Sequence, residues 1–365
     1  MRRTLVVILT IAFAVGLLTG CTGTTVVIGE CTCPAQTTAS ATEAPATEAP
    51  AESTPASEGA VKTGLAVFAT ISDSASATAD AEGVAKYDIT MAAVTVDDNG
   101  VIQSCVIDSV PASVNFDTAG AITTDLTAAV PSKNEMGADY GMVAWGGAIA
   151  EWDEQVAALA DFAVGKTVEE LKNGAIDETG KAPEGSDLAS SATIYLGGFV
   201  SAIEAAVNNA QHLGAQSGDE LVLTTMNSLG KSASADAENA GNAQLDTDIA
   251  VLTRKDGVIT SCYIDSVQAK IAFDATGTIT TDLTVPVQTK NELGADYGMV
   301  AWGGAIADWN EQAAAFAHYI TGMTADEVAG IAVSESTKPA DGTDLASSVT
   351  ISIGGFQALI AKAMQ

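Results

Sequence analysis

A shift of 157 positions lays the second half of this 365-residue chain on the first, without a gap from Gly100 to Thr193. Gly100 falls on Gly257, Cys105 on Cys262, Trp145 on Trp302 and Thr193 on Thr350. The stretch GADYGMVAWGGAIA is identical in the two halves, at Gly137–Ala150 and Gly294–Ala307. A tandem duplication restricts the fold strongly, because whatever unit one copy forms must occur twice. The copies run over 62–210 and 219–365, and they match poorly before Ile89 and Asp246.

Each copy reads as α+β, an antiparallel sheet with packed helices. Apolar and polar residues alternate on both sides of Asp98-Asn99-Gly100 and of Lys255-Asp256-Gly257, which signals a β-hairpin. Trp145, Ile149, Trp152, Val156 and Leu159 recur at steps of three and four, as do Trp302, Ile306, Trp309, Ala313 and Phe316. That spacing predicts one helix whose tryptophan stripe packs into a core. Gly165 and Gly322 stop it, and Thr167-x-x-Glu170 and Thr324-x-x-Glu327 are capping boxes for a following short helix. Ile194 and Ile351 are expected in short strands, with a last helix entered at Gly198-Phe199 and Gly355-Phe356. Each copy, having its own hairpin and stripe, is expected to fold alone.

The N-terminus reads as an address. Arg2 and Arg3 precede an uncharged, mainly apolar run, so residues 1–20 are a signal peptide. Leu18-Thr19-Gly20-Cys21 resembles the bacterial lipobox, which implies cleavage before Cys21 and a lipid on its thiol. That lipid would hold the protein on the extracytoplasmic face of the cell membrane. Residues 21–61 then form a linker of Ala, Thr, Glu, Ser and Pro, including ATEAPATEAP, with too little to bury to offset the entropy of ordering.

The net charge is −31, and −33 once Arg2 and Arg3 are removed. Such a chain repels phosphate backbones, which excludes nucleic acid as a partner. The two histidines, His212 and His318, are not matched between the copies, and no paired-histidine metal motif or nucleophile–histidine pair is shared. Cys105 and Cys262 lie in apolar strand-like runs and read as small buried hydrophobes.

One phrase with chemical content remains: SDLASSATIYLGGF at Ser186–Phe199 and TDLASSVTISIGGF at Thr343–Phe356. Asp187, Ser190 and Thr193, and Asp344, Ser347 and Thr350, resemble the signature of the bacterial FMN-binding domain family. The hairpin upstream resembles that family's opening strand pair. The family's glycine is Ser191 in one copy and Ser348 in the other, and its alanine is Val349 in the second. The resemblance implies FMN joined through its phosphate to Thr193 and Thr350, with Asp187 and Asp344 orienting the turn. Lys133 and Lys290 would face the phosphate, and the ring would lie on Tyr140 or Trp145 and on Tyr297 or Trp302. No substrate-specific acid–base site is visible, so the implied activity is electron relay with membrane or surface redox partners rather than turnover. The residues read without the family allow another class, a cofactor-free surface binding or adhesion module, in which the phrase is only a hydroxyl-rich turn.

Overall fold

A computed structural model describes residues 59–365. The signal peptide, the lipidation site Cys21 and nearly all of the linker lie outside the described residues. The six strands are β1 (Lys62–Thr70), β2 (Gly83–Val96), β3 (Ile102–Phe116), β4 (Glu220–Ser228), β5 (Gly241–Lys255) and β6 (Val258–Phe273). They form two antiparallel three-stranded sheets, β1-β2-β3 and β4-β5-β6, one per copy. In the first copy the helices are α1 (Lys133–Met136), α2 (Met142–Gly146), α3 (Trp152–Ala163), α4 (Val168–Ala175) and α5 (Gly197–Asn208). In the second they are α6 (Lys290–Leu293), α7 (Trp309–Ile320), α8 (Ala325–Ala329) and α9 (Gly354–Ala363). The α+β class read from the sequence is what forms.

Strand alternation decides the layering. On β2, Tyr87, Ile89, Met91 and Ala93 point to one face, and Ala92 and Val94 to the other. The second set packs under α3 and α5, and its counterparts Ala250 and Leu252, 158 positions on because the second hairpin is one residue shorter, pack under α7 and α9. The first set joins Leu245, Ile249, Val251 and Ile271 of the other sheet in a single cluster. The order is therefore helix, sheet, sheet, helix. Each copy has a helix-side core of its own, but the inner faces of the two sheets make one shared core. The expectation of separate folding overlooked this face, because a period-two pattern does not say which partner covers it.

The shared core closes on an aromatic pair. Phe116 and Phe273 stack with centroids 4.1 Å apart and planes 2° from parallel. Gly83 and Gly241 lie over these rings, and a Cβ at either would come within 2.3 Å of a ring carbon. Around the pair the copies exchange equivalent bonds. The Ser76 hydroxyl accepts the Ile279 amide and the Ser234 hydroxyl accepts the Ile122 amide, each at 2.9 Å. The Ala77 amide donates to the Gly277 carbonyl, and the Ala235 amide to the Gly120 carbonyl, each at 2.8 Å.

The hairpins, the stops near Gly165 and Gly322 and both capping boxes form as the sequence predicts. The register shifts at Thr95/Val96 and Thr253/Arg254 are bulges that turn the start of β3 and β6, so that Ile102 and Cys105 share the helix-facing side despite unequal parity. Ile194 and Ile351 are not in strands: both lie in irregular backbone leading to the last helix. Their amides are held by a side chain instead of a ladder, as shown below.

Truncating a fully buried phenylalanine costs about 3–5 kcal/mol. Phe116→Ala and Phe273→Ala should each destabilise the whole chain by that order. The double variant should lose clearly less than the sum, because the rings contact one another. Urea titrations of the four proteins check this, and strict additivity would contradict a shared stack.

Candidate functional site

The repeated phrase folds as a 3-10 turn over Leu188–Ser190 and over Leu345–Ser347. Leu188 and Ala192, and Leu345 and Val349, point into the helix-side cores and anchor the turn. Ser190 and Ser347 close it by donating to the carbonyls of Asp187 and Asp344, at 2.6 and 2.7 Å. Asp187 and Asp344 begin the turn, and their side chains cap no helix amide. Ser191 and Ser348 sit near φ −115°, an ordinary right-handed conformation, so the backbone does not require the glycine that the resemblance asks for.

The residue that positions the threonines is one the sequence reading missed. The Gln155 carbonyl oxygen accepts the amides of Thr193 and Ile194, at 2.8 and 3.2 Å, and lies 3.3 Å from the Thr193 hydroxyl. Gln312 does the same for Thr350 and Ile351. Both glutamines are fully buried, and their amide groups donate to Ala150 and Ala307 at 2.8 Å. A glutamine three residues after a tryptophan, on the apolar face of a helix and in both copies, was the available signal. The Thr193 side chain remains exposed and Thr350 is half-buried.

Lys133 and Lys290 come together with aromatic rings, but only in part as expected. The Lys133 ammonium lies 5.0 Å from the Tyr140 ring centroid and 4.8 Å from that of Trp152. Lys290 lies 5.4 Å from Tyr297 and 4.7 Å from Trp309. Burial lowers the Lys290 pKa from its usual value, against the pull of Asp248 and Asp246. The backbone beneath these lysines is held by buried carboxylates. Asp108 accepts the amides of Ser109 and Asn134, and Asp265 those of Ser266 and Asn291.

Trp145 and Trp302 are not in this cluster, and they are not core residues. They are 89% and 86% exposed, whereas Trp152 and Trp309 are buried. The expected single helix does not form. Left-handed Gly147 ends α2, and Glu151 starts α3 afresh as the N-cap of a capping box. The Glu151 carboxylate also accepts the Met142 and Val143 amides, at 2.8 and 3.1 Å, and so clamps the intervening loop. Asp308 accepts the Val300 amide in the second copy, at 3.1 Å. Spacing of three and four cannot reveal such a restart. The outcome is two largely exposed loops, Gly141–Ala150 and Gly298–Ala307, with identical sequence and no charged residue. Val143, Trp145 and Ile149 are exposed on one, and Val300, Trp302 and Ile306 on the other.

The parts of a flavin site are thus only partly assembled. The turn presents a hydroxyl, but Lys133 and Lys290 are sandwiched between rings and Trp145 and Trp302 stand apart from them. Two further shared cations, Lys181 and Lys338, are exposed in the turn whose Gly180 or Thr337 carbonyl holds the start of the last helix. Burial pushes the thiols of Cys105 and Cys262 up to about 12, which leaves them as thiols at neutral pH. Among the described residues no group of three or more His, Cys, Asp or Glu could hold a metal ion, and no helix is long and apolar enough to cross a membrane. No family model matches the chain, and no curated protein or solved structure matches it.

Burial pushes the Asp265 carboxyl up from 3.8 to about 6. The folded state then binds its proton more tightly than the unfolded chain does. Stability from this group is present in full below pH ~4 and is lost as pH rises through ~6. Asp265→Asn keeps an acceptor for both amides and removes the buried charge. It should be more stable than the parent at pH 7, by at most about 3 kcal/mol, with the gap closing towards pH 4. Denaturant midpoints at the two pH values measure this; a gap independent of pH would contradict it.

Proposed function

We propose that the protein is a membrane-anchored surface binding module that engages an uncharged, repeating partner through its two tryptophan loops. The observation that carries the reading is the exposure of Trp145 and Trp302 in two identical, charge-free loops. Exposed apolar surface of this kind marks an interaction site, and tryptophan is the residue most enriched among binding hot spots. The Glu151 and Asp308 clamps pre-order the loops, which lowers the entropy cost of binding. Identical loops in a single chain read the same epitope twice, so a partner that repeats its epitope gains avidity. A body of net charge −31 favours partners without phosphate or other dense negative charge. Lipid on Cys21 would hold the module at the extracytoplasmic face of the membrane, with residues 21–61 as the tether.

A second reading, FMN carried covalently on Thr193 and Thr350, is favoured by one observation: the exposed Thr193 hydroxyl beside a serine whose backbone needs no glycine. Gln155 and Gln312 would fix the turn, Asp187 and Ser190 with Asp344 and Ser347 would shape it, and Lys181 and Lys338 would offer charge nearby. FMN bound there would supply redox chemistry for relay between membrane or surface partners.

Sedimentation with envelope fragments of the source cell tests the first reading. Trp145→Ala or Trp302→Ala should each weaken binding by at least about tenfold through lost avidity, and the double variant should abolish it. Unchanged binding by the double variant would overturn the reading. The second is tested on the same preparations by peptide mass. FMN less one water at Thr193 or Thr350 supports it; unmodified peptides from the native host, with the attaching enzyme active, reject it.

A further inference from the structure

The two copies meet along two junctions related by the repeat: β4 runs beside β3, and β1 beside β6. At the first junction Lys362 of α9 reaches across to the other copy. Its ammonium pairs with the Glu135 carboxylate of α1 and donates to the Thr225 carbonyl of β4, the latter at 2.7 Å. The two oxygens of Glu135 divide the work. One accepts the Ser132 amide in the cap of α1, and the other takes the ammonium.

At the second junction the carboxylate and the carbonyl recur, but the lysine does not. Glu292 of α6 stands for Glu135, and one of its oxygens likewise accepts a cap amide, that of Thr289, at 2.8 Å. Val67 of β1 stands for Thr225, because Val67 pairs with Met91 where Thr225 pairs with Ile249. Lys362 falls on Ala205 of α5, whose side chain is a methyl. The structure has a cavity of about 230 Å³ at this junction, and Val67 and Glu292, the counterparts of the lysine's two partners, both line it.

The walls suit what is missing. The free edge of β1 gives its odd-numbered residues outward: Thr63 exchanges backbone bonds with Gln211, and the Leu65 carbonyl accepts the Asn209 side-chain amide. Strand alternation turns the Val67 carbonyl to the same side. Buried Asp265 lines the cavity as well, and no Lys or Arg does. Glu292 forms no ion pair among the described residues. Leu65 and half-buried Tyr263 add apolar surface, and the mouth is open at the exposed residues Gln211 and Glu292.

We propose that this cavity binds the primary ammonium group of a small alkylamine, as the opposite junction binds the ammonium of Lys362. The Glu292 carboxylate and the Val67 carbonyl accept its N–H donors, and Leu65 and Tyr263 line the path of a short alkyl chain. An ammonium offers three donors and no acceptor, which matches walls rich in acceptors. A hydrogen bond between charged groups is about twice as strong as a neutral one. Two carboxylates and a carbonyl are too few ligands for a calcium ion. The site shares no residue with the tryptophan loops.

Protein-observed NMR of the full chain carrying Cys21→Ala tests this with n-butylamine and with 1-butanol, which has the same chain and no charge. Physiological ionic strength screens diffuse attraction of the amine to an acidic chain. Butylamine should shift the amides of Val67, Asn291 and Glu292, and should bind at least about tenfold more tightly than butanol. Glu292→Gln keeps an acceptor for the Thr289 amide and should weaken butylamine binding by about tenfold or more. Ala205→Lys rebuilds on half-buried α5 surface the lysine that α9 carries, and should abolish binding. Lys362→Ala should open the sister site, so that the amides of Glu135 and Thr225 shift too. Circular dichroism melts verify that each variant is folded. The proposal is overturned by absence of butylamine binding below about 10 mM or by equal affinity for the two probes. It is equally overturned by binding that survives Ala205→Lys or is unchanged by Glu292→Gln, or by Lys362→Ala without the second set of shifts.

Discussion

Everything in the molecule hangs on the face-to-face contact of the two sheets. The helices cover one face of each, and only the other copy covers the second. The stack of Phe116 on Phe273, under Gly83 and Gly241, marks where the repeats meet most closely. An isolated copy would present Tyr87, Ile89, Met91 and their neighbours to water, roughly 1.5–3 kcal/mol of unfavourable exposure for each large side chain. Duplication here completes one fold that neither copy can close alone.

That closure has consequences at the periphery. The reciprocal bonds at Ser76 and Ser234 and the strap between the copies fix the halves relative to one another. The two tryptophan loops are consequently carried on one body, each clamped to its own helix by Glu151 or Asp308. Rigid spacing is what would make two weak contacts act as one strong one. The symmetry is broken where Lys362 fills a gap at one junction of the copies that Ala205 leaves open at the other.

Much of this was legible in the residues. The 157-residue shift gave the two copies, and alternation and turn chemistry gave the hairpins. Thr167-x-x-Glu170 and its counterpart gave the helix starts, and burial of Cys262, with partial burial of Cys105, followed from their apolar surroundings. Three features were not legible, for definite reasons. Helical spacing from Trp145 to Leu159 is continuous, yet a glycine pair and the Glu151 cap divide it, so the first tryptophan faces water and the second the core. A buried glutamine on an apolar stripe hid the partner of Thr193, because the bond joins residues 38 apart. The shared face could not be seen because a strand pattern gives the direction of burial but not what does the burying.

Scanning calorimetry of the whole chain tests the central claim, that the two copies form one cooperative body, most directly. A shared core predicts a single transition whose calorimetric and van't Hoff enthalpies agree and which reports loss of both copies together. Two resolved transitions, each belonging to one copy, would contradict the account.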